Sequence, residues 1–546
     1  MRSLMPVETL ATTRAATRIP DRALALPIWL ALLVTAIAAR ALTFGDPLVH
    51  VDEQFYFVTA QRMLDGALPF VDIWDRKPIG LFLIYLPAAA LGVPTGIWAY
   101  QMMALASVVL TAMLIHRMAC RAGWEAGALP AAMLYIVALN LADGQGGQSP
   151  VFYNLLTAAA FALVLPDTPA ADNETVRRIK AAVAMLLFAI GLQIKYTVLF
   201  EGVFLGLWLL WRELRLGVAL PRVLGLGSVL AGVALSPTLI AGLSYAAMGH
   251  GDAWFYANFG SILDRRSDPP IELIGGLLEV LLYLAPLLIV SGLSYRVTRA
   301  DNAVPPVRTL LFGWLIAACA GLIAFGGYFT HYALPVMLPA ALCCAGYFGM
   351  GTQGRRTAVA LLALIGVIGT AMVWQKQRGR GSAAEIEALA HAIGQGRECM
   401  FVYSGDAMLY GYTGRCGVSR WLYPSHLTRT REDGAIGVDQ MAEIDRVFAR
   451  APRFVVMQPR FIGERAEIRA RTFAQLRAGR YRLKGQYRVG DRMIDLYERQ
   501  AMPATRASAG SGARAGAGAV PPARGADAAA VGRADTAARR RASSIA

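Results

Sequence analysis

The 546-residue sequence predicts a mainly α-helical, polytopic membrane domain followed by a small α/β domain and a disordered tail. Three observations predict it. Hydrophobic residues make up 56% of the chain and charged ones only 16%, where a soluble domain carries about 25% charged residues. Apolar runs long enough to cross about 30 Å of hydrocarbon recur from Leu24 to Trp374. From about Arg378 onward the composition turns abruptly mixed and charged. A net charge of +16 raises the question of nucleic acid, but the Arg and Lys residues fall between apolar runs and in the tail. No basic-aromatic module accompanies them, so no nucleic-acid partner is expected.

The runs divide into eleven expected spans, near 24–44, 96–118, 124–141, 151–166, 179–193, 196–211, 223–241, 273–292, 309–325, 333–349 and 357–374. With the Arg-rich N-terminal segment 1–23 inside, every second loop is basic, as the positive-inside rule requires. These loops carry Arg117 and Arg121, then Arg177, Arg178 and Lys180, then Arg212, Arg215 and Arg222, then Arg296 and Arg299, then Arg355 and Arg356. Counting the apolar stretch Ile79 to Leu91 as a span would invert all later loops. It is read instead as a short helix in the outer interface, within a first outer loop at 45–95. Cleavage after the first run, as a signal peptide, is an alternative, although the run is longer than a usual signal core. This parity places the first loop, the loop Asp143 to Asn154, the loop His250 to Glu272 and the C-terminal domain on one extracytoplasmic face of a bacterial inner membrane.

The transmembrane domain is thus expected at 24–376 and a periplasmic α/β domain at 382–499. Within the latter, "AAEIEALAHAI" and "VDQMAEIDRVFAR" have helical periodicity. "CMFVYS" and "RFVVMQ" read as strands, and "YRLKGQYRVGDRMIDLYER" as a hairpin turning near Gly490-Asp491. Cys399 and Cys416 both fall in this domain, where an oxidising compartment allows a disulfide; two buried thiols are the alternative. The segment 500–546 is Ala, Gly, Arg and Pro with almost no large apolar residue, a composition expected to be disordered.

The segment "HVDEQFYFVTAQRMLDGALPFVDIWDRKPIG", His50 to Gly80, concentrates charge and aromatic rings between two apolar stretches. Such a loop suits a substrate with a lipid tail and a phosphorylated head. Asp52 and Glu53 are adjacent acids, so ionising both is unfavourable and one pKa rises, which helps a carboxylate serve as general base toward a hydroxyl. Arg76 and Lys77 suit a departing phosphate, Lys as a point charge and Arg as a fork. Plain structural roles compete: Asp52 as a helix cap, Glu53 at a helix's positive end, Arg76 and Lys77 as snorkelling anchors, and Tyr56 as an interface aromatic.

The same residues resemble the first outer loop of the polytopic GT-C glycosyltransferases, the group containing the dolichyl-phosphate-mannose protein mannosyltransferases and the bacterial lipid A aminoarabinose transferase. The shared pattern is an acidic pair, an aromatic three residues later, an Ala-x-x-Met-Leu-x-Gly-x-x-Pro segment and a Lys-Pro. Here it comprises Asp52, Glu53, Tyr56, Ala60, Met63, Leu64, Gly66, Pro69, Lys77 and Pro78. "GLQIKYTVLFE" (Gly191 to Glu201) and "GYFTHYALPVMLPAAL" (Gly327 to Leu342) resemble two later elements of the group. The likeness spans roughly Leu24 to Arg499. It implies an inverting transfer of a sugar from a polyprenyl-phosphate donor to a hydroxyl of a cell-envelope glycan, lipid or protein at the outer face. By this resemblance Asp52 is the base or orienting carboxylate and Glu53 a supporting acid or metal contact. Lys77 and Lys195 are ligands of the donor phosphate, with Arg76 beside them, while His331 and Tyr332 face the cavity.

The chain departs from the pattern in places. Phe55 stands where the aminoarabinose transferase has an arginine, Arg76 where it has an acid, and Gln148-Ser149 where related chains often carry a carboxylate. A divalent metal is left open, since no dense ligand set is visible, and no other cofactor is implied. A lipid-linked-sugar transporter or flippase is a rival, but the ionisable residues sit at the interface and not at the midplane, and no inverted repeat is evident. A lipid-linked-glycan ligase is a second.

Overall fold

The computed structural model describes residues 21–165, 173–299 and 306–500. The expected N-terminal segment 1–23 lies almost wholly, and the tail 500–546 except for its first residue, outside them.

Eleven helices stand where the spans were expected: α1 (Asp21–Arg40), α4 (Thr95–Arg121), α5 (Glu125–Ala138), α6 (Ser149–Val164), α7 (Glu174–Leu192), α8 (Leu199–Arg215), α9 (Leu220–Ala247), α12 (Pro270–Arg299), α13 (Pro306–Phe325), α14 (Leu334–Phe348) and α15 (Gly351–Arg380). Between the first and second of these run α2 (Val51–Leu64) and α3 (Ile79–Ala89). Short α10 (Gly251–Phe255) and α11 (Ser261–Leu263) flank a π-helical turn between α9 and α12. Among the described residues seven helical segments are long and apolar enough to cross a bilayer by themselves; α3, with 11 residues, is not among them, and neither are α1, α6, α7 and α8 of the eleven expected spans. Burial separates centre from rim. In the apolar window of Thr330–Phe348, which contains α14, 78% is buried inside the chain, against 11% for α9. Helix α14 therefore forms the middle of the bundle, packed on α5, α12 and α13, while α9 turns most of its apolar surface outward to lipid.

Helix α15 leads directly into an α/β part. Its α16 (Ala383–Ile393) starts with a capping box, in which Ser382 receives the Glu385 N–H and Glu385 bonds back to Ser382. It is followed by β1 (Met400–Val402), α17 (Met408–Thr413), α18 (Pro424–Thr428), α19 (Gln440–Ala449), β2 (Phe454–Met457), α20 (Ala466–Ala478), β3 (Tyr481–Val489) and β4 (Arg492–Arg499). The strands form one sheet in the order β1-β2-β4-β3, with β1 and β2 parallel and the other pairs antiparallel. The hairpin turns at Gly490 and Asp491, where the sequence put it. Cys399 and Cys416 are joined by a disulfide. Helices α17, α18 and α20 were not anticipated: two are only 6 and 5 residues long, and α20 is too polar for a clear apolar stripe.

The α/β part is continuous with the bundle: the described residues up to Gln500 form one compact unit. Gln54 of α2 donates to Asp406 (3.1 Å), the Trp74 N–H to the Arg420 carbonyl (2.9 Å) and Arg76 to the Ala435 carbonyl (2.7 Å). Asp406 is bonded in turn by Arg492 of β4 (3.1 Å), which also reaches the carbonyl of Arg380 at the end of α15 (2.8 Å). The sheet is thereby tied to both α2 and the last helix of the bundle.

Candidate active site

The site grows from the first turn of α2. His50 is its N-cap, and its Nδ1 accepts the Asp52 N–H at 3.1 Å. Two acids in the first turn face the positive end of the helix. Successive residues on a helix point about 100° apart, so Asp52 and Glu53 enter different surroundings.

Asp52 faces a polar cleft between the bundle and the α/β part. Lys77 Nζ stands 4.0 Å from Asp52 Oδ1 and 3.1 Å from Asp75 Oδ2. The Gln148 amide lies 3.3 Å from Asp52 Oδ2 and 2.6 Å from His50 Nδ1, and the Tyr423 hydroxyl from α18's N-cap is 3.5 Å from Asp52 Oδ1. Lys77 also lies 5.3 Å from the centre of the Tyr56 ring and 5.8 Å from that of Tyr423. On the far side the His331 ring sits 5.8 Å from His50 and 4.7 Å from Tyr332, and Lys195 Nζ stands 4.2 Å over Tyr332. Asp52, Tyr56, Lys77, Lys195, His331 and Tyr332 thus come together from four separate stretches of the chain. Beside them, a small crevice of about 30 Å³ lies under Tyr332 between Phe200, Leu322 and Phe325.

Two predicted site residues point elsewhere. Arg76 is committed to Glu432 (2.5 Å), to Ser261 (3.1 Å) and to the Ala435 carbonyl, clasping the loop after α9 to the α/β part. Glu53 is fully buried under the Gly146-Gly147 turn, so close that a Cβ on Gly146 would lie 2.3 Å from both carboxyl oxygens. That turn is itself held by Arg40, which donates to the carbonyls of Gly144 (2.7 Å), Gln145 (2.5 Å) and Gly146 (3.2 Å). Asp143 at its start is pinned by Lys376 and Arg380 (both 3.0 Å) and by Thr330 (2.7 Å).

The two acids consequently ionise differently. Burial pushes Asp52 up, but Lys77, then His50, His331 and the Gln148 bond outweigh it and hold the group well below the usual carboxylate range. For Glu53 burial dominates the opposing Gly147 N–H and Arg40, and its pKa is pushed up to about 8. At neutral pH the pair is one carboxylate and one carboxylic acid. Burial lowers Lys77, but Asp75 and Asp52 more than compensate and raise it, so it stays cationic. Lys195 is lowered to about 7, mainly by burial, with Asp52 opposing.

Among the described residues His50, Asp52 and His331 bring ligand atoms within 4.8 Å of one another, a donor set that by residue type suits a divalent metal. As arranged, the set does not fit one. The His50 Nδ1 lone pair is already met by two amide N–H groups, and Asp52 by Lys77, Gln148 and Tyr423. The positive charges of Lys77 and Lys195 both act on this carboxylate. No step is derived through a metal.

Sequence reasoning missed His50, Asp75, Tyr423, Asp143 and Arg40 as parts of this constellation. His50 could have been found as a capping residue directly before the acidic pair; Tyr423 carries no signal, since 371 residues separate it from Asp52.

No protein-family model matches the chain, and no curated protein matches it in sequence. Solved structures do. ArnT from Cupriavidus metallidurans in the apo state superimposes with a TM-score of 0.57 at 16% identity, covering 86% of this chain and 98% of that one. The same protein bound to undecaprenyl phosphate gives 0.56 at 14% identity, covering 88% and 98%. An oligosaccharyltransferase from Archaeoglobus fulgidus gives 0.47 at 10% identity, covering 79% and 67%. With nearly the whole of ArnT matched by helical bundle and α/β part together, this chain has the same fold as ArnT.

Proposed function

We propose that the chain is an inner-membrane glycosyltransferase that moves a sugar from a polyprenyl-phosphate donor to a hydroxyl of a cell-envelope acceptor, with inversion, at the periplasmic face. The observation that carries this reading is an ionised carboxylate facing a half-buried lysine, gathered with Lys195, His331 and Tyr332, the last of which also lines an apolar crevice. ArnT, which shares the fold, binds undecaprenyl phosphate, and that supports a polyprenyl phosphate as the leaving group here.

In this reading the donor's isoprenoid tail enters between the helices beside Phe200, Leu322 and Phe325, and its phosphate meets Lys77 and Lys195. The acceptor oxygen attacks the anomeric carbon from the face opposite the phosphate. As that C–O bond forms, the bond from the anomeric carbon to the phosphate oxygen breaks with its electron pair, and the acceptor proton passes to Asp52. Lys77 and Lys195 stabilise the charge gathering on the leaving phosphate. Without donor, Asp52 is a weak base because Lys77 lowers its pKa. The donor's phosphodiester monoanion beside Lys77 partly offsets that field, and the second charge that gathers on the phosphate as the C–O bond breaks adds to it, so Asp52 becomes more basic when the proton must move. Lys195, near about 7 without donor, takes up a proton as phosphate binds. Glu53, protonated and enclosed, shapes the turn that delivers Gln148 to Asp52 and His50.

The test is mass spectrometry of membrane lipids from a strain lacking the protein, one complemented with the normal chain and one with Asp52→Asn. A polyprenyl-phosphate sugar is expected to accumulate in the first and third and fall in the second. Full complementation by Asp52→Asn removes the catalytic assignment. No change in any lipid-linked sugar removes the transferase reading in favour of a transporter.

A further inference from the structure

Next to the site, where the loop 256–268 meets 429–433 of the α/β part, four guanidinium groups meet four carboxylates, and Arg76 and Arg465 join them from outside. Glu432 is shared by Arg76 (2.5 Å), Arg265 (3.3 Å) and Arg431 (3.7 Å). Asp433 takes Arg266 (2.7 Å) and Arg465 (2.6 Å), and Asp268 takes Arg431 (3.4 Å). Asp264 accepts from the Tyr256 hydroxyl, and Glu464 is occupied by Arg469 (2.9 Å) and Tyr403 (2.8 Å). Arg429 is left over. Among the described residues no carboxylate lies within ion-pair distance of it; it has a 3.5 Å bond to the Ile462 carbonyl and a face of Phe461 at 5.4 Å, and its Nε is buried without an acceptor. Asp268 and Glu432 attract it only from beyond that distance, and a planar fork of N–H donors fits a phosphate bidentately.

The cluster adjoins both the reacting groups and the bilayer. Arg431 lies 4.9 Å over Phe329, whose ring stacks on His331 at 5.9 Å, and the charge of Arg429 acts on Tyr423, which touches Asp52. On its other side the loop exposes Ile262, Leu263 and Ile271, with Leu263 84% exposed, at the end of the apolar α12. Large apolar side chains beside Arg265 and Arg266 mark headgroup level, where hydrocarbon gives way to phosphate.

We infer that Arg429, with Arg431 and Arg265, is an acceptor subsite that takes the phosphate of a lipid arriving sideways from the outer leaflet and holds its hydroxyl within reach of Asp52. This rests on the transferase reading, with Lys77 and Lys195 serving the donor phosphate. A soluble glycan or a protein acceptor has no need of guanidiniums at the lipid boundary.

The experiment adds Arg429→Gln/Arg431→Gln, Arg429→Lys and Lys77→Gln to the lipid mass spectrometry, and measures undecaprenyl phosphate binding to each purified full-length chain. The double variant is expected to accumulate donor at least about tenfold over the normal chain and to lose a phosphate-bearing glycolipid product, with undecaprenyl phosphate affinity within about twofold of normal. Arg429→Lys restores part of the product, which shows that the double variant's loss is one of charge and not of folding, and Lys77→Gln loses both product and affinity. Full complementation by the double variant overturns the subsite. So does a loss of undecaprenyl phosphate affinity equal to that of Lys77→Gln, which would assign the cluster to the donor, and so does a product without phosphate. If deletion changes no lipid-linked sugar, the transferase reading falls first and takes the acceptor subsite with it.

Discussion

Asp52 and Glu53 are neighbours in the chain and opposites in the fold. Asp52 looks into the cleft, where Lys77, Gln148 and Tyr423 reach it and keep it ionised. Glu53 looks into the bundle, where the Gly146-Gly147 turn closes over it and burial keeps it protonated. A step of one residue, about 100° around the helix, suffices to make a chemical group of one acid and a structural group of the other. A pair of carboxylates read from sequence is therefore not a pair of equivalent acids: what each faces decides which carries charge.

The largest break in this comparison comes from amide substitution at each position. Asp52→Asn is expected to lower the transfer rate about 10²- to 10⁴-fold, the range for loss of a positioned base, while Glu53→Gln, which keeps a neutral hydrogen-bonding group, stays within about tenfold of normal. Steady-state rates of the two purified variants check it, and equal losses would mean that both acids take part in the chemistry.

Next in size is Gly146→Ala. Its Cβ would come 2.3 Å from the Glu53 oxygens, and such overpacking costs about 1–3 kcal/mol. Thermal unfolding should show the loss, and Gly146→Ala combined with Glu53→Ala should recover much of it, because the clash is with that side chain.

Smaller shifts in pH dependence sharpen the contrast. Lys77 holds the Asp52 pKa down, so Lys77→Gln should move the acid limb of the remaining activity to higher pH. Glu53 behaves in the opposite sense. Its pKa rises from 4.5 to about 8 on folding, so the folded state binds the proton more tightly and stability falls as pH rises through that window. Glu53→Gln should flatten the fall, measured as the difference in unfolding temperature between pH 6 and pH 8.

The smallest expected effect is that of metal removal. Treatment with a chelator should leave the transfer rate within about twofold, because Asp52 and His50 already spend their lone pairs on Lys77, Gln148 and backbone N–H groups. A large loss restored by one divalent cation would show that these bonds give way to metal ligation.

The sequence by itself determined the bundle and much of the α/β part. Runs of apolar residues must leave water, so the places of the eleven bundle helices, the short α3 and the hairpin at Gly490 were legible from local pattern alone, while only seven segments are long and apolar enough to cross a bilayer by themselves. Proximity of Asp52, Tyr56 and Lys77 was legible too, since one loop holds all three. Only the tertiary structure decided that Arg76 serves Glu432, that Glu53 is enclosed by a glycine turn held by Arg40, that Tyr423 reaches Asp52, and that Arg429 has no carboxylate within ion-pair distance among the described residues. Hydropathy is a property of each residue and its near neighbours. The pKa of an acid is a property of whatever the rest of the chain brings beside it, and here those partners come from as far as 371 residues away.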